Sequence, residues 1–119
     1  MIKIEKIIPH IPTTDMKVTQ KFFVSYFEFH AVVETEYFVE LNNNNFTLGL
    51  LKADGKLNEQ SIYIQVCDID ELWESLKINI INLKHKELFT QQYGMKEFHV
   101  IIPKTETLLI VGEPVHEQA

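Results

Sequence analysis

One order of elements, a strand, then a helix, then up to three strands, is written twice along this chain, at about 57 residues per copy. In the first copy, Ile2 and Ile4, then Ile7, Pro9 and Ile11, alternate with Lys6, Ile8, His10 and Pro12, which predicts a strand over the first 15 residues with a slip near Glu5 and Lys6. Thr14 or Asp15 offers an N-cap oxygen, and Val18, Phe22, Phe23, Tyr26 and Phe27 recur at helical spacing, predicting a helix over about 15–27. Then "FHAVVETE", "YFVEL" and "FTLGLL" read as strands, the last two joined through "NNNN", because asparagine tolerates the left-handed backbone of a tight hairpin. The polar stretch "KADGKLNEQ" is the best connector in the chain, and after it the order restarts. "SIYIQV" sets Ile62, Ile64 and Val66 against Ser61, Tyr63 and Gln65. Asp68 or Asp70 is placed to cap a helix in "DIDELWESLK", where Ile69, Leu72, Trp73 and Leu76 form the apolar stripe. "INIINLKHKELFTQQYG" reads as a short strand and a long loop, and "MKEFHVII" and "TLLIVG" as two strands around a turn at "PKTE".

Such a repeat puts each helix on one face of a mixed sheet and leaves the other face free to line a concave surface. The fold class expected is α+β, one domain over residues 1–119, with module one at about 1–52 and module two at about 61–113. With 45% hydrophobic and 24% charged residues the chain reads as globular. No apolar run approaches the roughly 20 residues of a spanning helix, and lysines interrupt "MIKIEKIIPH", so no membrane partner and a cytoplasmic location are expected. The net charge is -6, and all 11 bases are lysine. Without an arginine fork, and with an acidic surface, nucleic acid is a poor partner. Cys67 stands alone, which rules out an internal disulfide and reads as a small buried hydrophobe.

"IPHIPTTDMKVTQKFF" resembles the opening of bleomycin-resistance proteins and their glyoxalase relatives in the vicinal oxygen chelate superfamily, whose Pro-x-Leu-Pro-x-x-Asp pattern leads into a helix ending in aromatics; the matching residues are Pro9, Ile11, Pro12, Asp15, Phe22 and Phe23. "YIQVCDIDELWESLK" is similar to the start of the family's second module, and "YGMKEFHVIIPKTETLLIV" to its end. The resemblance spans nearly the whole chain in the right order. It implies two βαβββ modules forming cup-shaped, mixed-sheet half barrels, and a homodimer whose ligand pockets lie near the subunit interface. Two places depart from the family pattern. Glu28 replaces the glycine usual after the first helix, and the last hairpin, "PKTET", has one extra residue and no glycine.

Enzymes of the superfamily hold a divalent ion on His, Gln or Glu side chains from the first and last strands of each module. Aligned through the resemblance, those positions fall on Ile8, Gly49, Ser61 and Ile110, which offer no such donor set. The resemblance thus implies no metal, no cofactor and no metal-dependent chemistry. The five histidines show no HxH or HExxH spacing, and His30, His85 and His116 sit among polar neighbours. No nucleophile elbow, phosphate loop or GxGxxG is present, and Phe22, Phe23, Phe27 and Trp73 are assigned to the helix cores. The resemblance then implies a small-molecule site for an aromatic, planar or cationic ligand. Its candidate residues are His10, Tyr63, Gln65, Tyr93, His99, Tyr37 and Phe46, with aliphatic walls at Ile8, Leu108 and Ile110. Two other classes compete: a metal-dependent lyase or dioxygenase with displaced ligands, and a structural module whose barrel is filled by its own side chains.

Overall fold

The computed structural model describes residues 1–115, which form two compact units, one of residues 1–57 with 103–105, the other of residues 58–102 with those from 106 onward. Among the described residues no helix is long and apolar enough to cross a membrane.

The first unit runs β1 (His10–Thr13), α1 (Met16–Phe27), β2 (His30–Glu34), β3 (Phe38–Asn43) and β4 (Phe46–Lys52). Its sheet has the order β1-β4-β3-β2, with β1 parallel to β4 and the other pairs antiparallel. Asp15 caps α1, its side chain accepting from Val18 N at 3.2 Å. The far end closes on Glu28, which takes the left-handed conformation at φ 57° and donates its N–H to Phe23 O. A non-glycine residue thus does what glycine does at that place in the family pattern, at a conformational cost. Alternation divides the strands: Ile11, Val39, Leu41, Leu48 and Leu50 point to α1, where Phe22, Phe23 and Phe27 cover them, and all are buried. Each such side chain contributes about 1.5–3 kcal/mol by leaving water.

The first strand is shorter than the alternation predicts. His10 pairs with Gly49 and β4 begins at Phe46, so β4 does not extend to residues before Ile7; Ile2, Ile4 and Ile7 are exposed. Pro9 and Pro12, lacking N–H donors, further limit the ladder.

The second unit runs β5 (Gln60–Gln65), α2 (Ile69–Ile80), β6 (His85–Thr90), β7 (Met95–Ile101) and β8 (Thr107–Pro114), in the sheet order β5-β8-β7-β6. Again the first strand is parallel to the last and the rest are antiparallel. "INI" continues the helix instead of starting a strand, because Ile80 extends the buried stripe of Ile69, Trp73 and Leu76 by one more turn. The strand is "HKELFT", and the loop after it is short. Asp68 stands at the N-cap with left-handed backbone, φ 56°, and no capping bond from its side chain. Instead Glu113 on β8 accepts from the N–H groups of Asp68 at 2.8 Å and Ile69 at 3.2 Å. Cys67 is exposed, not buried, because it follows the strand and lies outside both the sheet ladder and the helix stripe.

Candidate functional site

On β5, β8 and β7 the ladder aligns Ser61, Leu108 and Ile101; then Tyr63, Ile110 and His99; then Gln65, Gly112 and Glu97. Since side chains alternate, these nine share the face opposite the α2 core. Tyr63 and His99 are therefore neighbours across Ile110. The phenol of Tyr63 lies over Gly112, in space that a Cβ there would claim, so glycine is what allows the ring to lie down on the sheet.

At the Gly112 end sits Glu97, only 1% exposed. A buried carboxylate needs donors, and it has them: Tyr93 Oη donates to Oε2 at 2.5 Å, while Oε1 accepts from Gln91 Nε2 at 3.4 Å and lies 3.0 Å from His99 Nε2. Because an ionised carboxylate only accepts, His99 holds its proton on Nε2 here. Burial pushes the Glu97 carboxyl up, but hydrogen bonds from His99, Tyr93 and Gln91 and the charge of His99 outweigh it and hold the group below the usual carboxylate range. The reciprocal effect falls on Tyr93, whose hydroxyl is pushed up to about 12, first by its hydrogen bond to Glu97, then by burial and by the charges of Glu97 and Tyr63. Tyr63 is raised too, by burial and then by the Glu97 charge. Phe89 meets His99 edge-on, ring centroids 5.2 Å apart, and carries Lys86 Nζ 3.9 Å above its own ring. At the other end of the face a cleft of about 610 Å³ is lined by Ser61, Ile101 and Leu108 together with Glu59, Lys84 and Glu106. The face thus offers an apolar strip between a cleft and an ionised, sheltered carboxylate.

The first unit repeats the geometry with other side chains. Gly49 faces Glu40 on β3 and His10 on β1, as Gly112 faces Glu97 and Gln65. A Cβ at Gly49 would meet the rings of His10 and Phe38 at 2.9 Å and Ile8 at 3.3 Å. His10 and Phe38 contact edge-on, with centroids 5.9 Å apart. Glu40, the counterpart of Glu97, receives Lys6 Nζ at 3.5 Å.

The structure therefore brings Tyr63, His99 and Tyr93 together around Glu97, with Gln65 on the same face, and gathers His10 with Ile8 and Phe38 over Gly49. Tyr37 lies beside Lys52, whose Nζ is 5.3 Å from its ring centre. Phe46 opens β4 on the parity of the core-facing Leu48 and Leu50, yet at the hairpin it is exposed. His30 is exposed; His85 is half-buried, with Nδ1 2.8 Å from Leu83 O and its ring tilted against Trp73. His116 lies outside the described residues. Glu97 and Gln91 escape the sequence reading. The signal for Glu97 is its shared parity with His99 in "KEFHV". Among the described residues no three His, Cys, Asp or Glu side chains converge where they could hold a metal ion.

A scan against protein-family models gives no match, and a search of curated proteins gives none. Solved structures do match. The bleomycin resistance determinant encoded on the transposon Tn5 is 16% identical, with 93% of this chain and 98% of that chain covered at a TM-score of 0.75. The bleomycin-binding protein of Streptomyces verticillus, solved with copper(II)-bleomycin, is 18% identical over 98% of this chain and 100% of its own, at a TM-score of 0.73. Lactoylglutathione lyase from Agrobacterium tumefaciens is 14% identical over 92% of this chain and 94% of its own, at 0.75. At such identities the likeness establishes the fold, and it agrees with the resemblance carried by Pro9, Pro12, Asp15 and "GMKEF". Two βαβββ modules with mixed four-stranded sheets give this chain the fold of the vicinal oxygen chelate superfamily, which bleomycin-resistance proteins and glyoxalase-like enzymes share.

Proposed function

We propose that this chain is a metal-free binding protein of the bleomycin-resistance type, which sequesters or carries a small molecule of aromatic, planar or cationic chemistry on a concave face. It acts as a cytoplasmic homodimer, with the pocket near the subunit interface. The observation that carries the reading is the buried carboxylate of Glu97, kept ionised by Tyr93, Gln91 and His99 at one end of an apolar strip. A buried charge is costly to a fold, so groups arranged to keep one on the open face of a sheet mark a candidate site. The positions at Ile8, Gly49, Ser61 and Ile110 support binding without a metal, since three offer no donor atom and the fourth offers one hydroxyl. The exposed Ile2, Ile4 and Ile7 support a second subunit, as apolar side chains available to a partner surface.

Purified protein is incubated with Zn, Mn, Ni or Fe(II), desalted and assayed for metal, and its melting temperature is screened against a library of small aromatic and cationic compounds. Substoichiometric metal together with a ligand-dependent rise in melting temperature is expected. Retention of about one ion per subunit overturns the metal-free reading. A second reading has its own observation: His10 and Phe38 over Gly49, and Tyr63 over Gly112, already occupy part of each face. A filled structural module predicts that no compound in the screen shifts the melting temperature.

A further inference from the structure

We propose that Glu97 anchors a primary ammonium group on a ligand with an aromatic body, and that Tyr93 is a latch which this ammonium displaces. The inference rests on the binding reading above and names the ligand chemistry of that site. The internal repeat supplies the reason for an ammonium. Glu40 and Glu97 hold the same place, each opposite a glycine on the last strand of its unit. In the first unit that glutamate already receives a primary ammonium, Lys6 Nζ. Among the described residues of the second unit no lysine fills the role: Lys86 lies over the Phe89 ring and Lys96 pairs with Asp70, while Glu97 Oε2 takes a neutral phenol.

The phenol has the features of a removable cover. Tyr93 is 66% exposed although its hydroxyl reaches a carboxylate that is only 1% exposed. Little of the ring's surface is gained by staying down, so the hydrogen bond is what holds it. It sits in the Gln91–Gly94 loop, beside Gly94 at φ 87°, and the loop backbone closes on itself through Gln91 N to Met95 O and Gly94 N to Gln91 O. The side chain can therefore swing away while the loop keeps its bonds. An ammonium in its place makes a charge-assisted hydrogen bond where a neutral one stood. Tyr63 and the edge of Phe89, on either side of Ile110 and His99, are placed to take the aromatic body along the apolar strip.

The probes are 2-phenylethylamine and its neutral isostere 2-phenylethanol, titrated into the intact protein by calorimetry and followed by backbone amide shifts at Tyr93, Glu97 and His99. The amine is expected to bind at least about ten-fold more tightly than the alcohol, with shifts centred on Glu97. Tyr93→Phe, which removes the competing hydroxyl, tightens the amine several-fold. Glu97→Gln brings the two probes to equal affinity. Equal binding of both probes to the unaltered protein overturns the anchor while leaving a small-molecule site in place. A Tyr93→Phe protein that binds the amine no better, or worse, overturns the latch. That exposed substitution keeps the test decisive if Glu97→Gln fails to fold. Binding of neither probe also overturns the anchor, whereas the wider binding reading falls only with the library screen.

Discussion

Tyr93 and Glu97 are four residues apart, and water treats them in opposite ways: the ring is largely open to it and the carboxylate is sealed from it. The bond between them binds the phenol's proton more tightly than water would. Because the folded value lies above the usual 10.0, at about 12, the stabilisation is fully present below pH 10 and is lost as pH rises toward 12. Spectrophotometric titration of the phenols is expected to place the Tyr93 step late, with Tyr63 raised as well, and Tyr93→Phe removes the Tyr93 step. If every tyrosine ionises together near pH 10, the hydrogen bond to Glu97 is absent in solution. Alternation set Tyr63 and Gln65 on the face opposite Ile62 and Ile64, since parity decides which face a strand residue joins, while the reading of that face and of His99 as concave came from the resemblance. Glu97 was legible from neither, although it shares the parity of His99. A charged residue in a strand reads as solvent-facing until its donors are known, and Tyr93 and Gln91 reach it from a loop whose conformation the sequence does not announce.

Both helices end in ways that sequence rules describe only by half. Asp15 caps α1 as its type and place predict, but the acid that caps α2 comes from β8, 45 residues from Asp68. No local pattern can reveal a cap delivered by tertiary structure. Glu113→Ala leaves two N–H groups of α2 without their carboxylate, and is expected to destabilise the protein by about 1–2 kcal/mol in urea unfolding; a change within error would mean that water caps the helix as well. Glu28 gives the opposite expectation. Its left-handed backbone suits glycine, so Glu28→Gly relieves about 1 kcal/mol of strain, less what the unfolded chain gains in freedom, and should raise the melting temperature by a few degrees. A lowered melting temperature would show that the glutamate side chain stabilises the turn by more than its backbone costs. The longest misreading, over "INIINLKHKELFT", has a physical origin: isoleucine favours strands, and only the burial of Ile80 beneath its helix makes the periodic stripe prevail. The overlong first strand has a different one, for alternation shows which residues can pair and not where a partner strand begins.

Across the whole molecule the doubled order of elements was the most legible feature, and the two sheets keep the same strand order and the same parallel and antiparallel pairs. The glycine and glutamate that face one another in each sheet preserve the repeat where overall sequence likeness has faded. The side chains around them have diverged into His10 and Lys6 in one copy and Gln65 and Tyr93 in the other, so the copies keep a shared backbone while offering different chemistry. The first unit, however, does not end at its last strand, because it includes Pro103–Thr105. Thr14 N and the Thr14 hydroxyl donate to Lys104 O, and the buried Thr19 hydroxyl donates to Pro103 O at 2.9 Å. During synthesis on the ribosome, the first 57 residues emerge well before the carbonyls they require. Its helix and sheet can begin to assemble, but this unit must wait for α2, β6 and β7 to be translated before Thr14 and Thr19 gain these two acceptors.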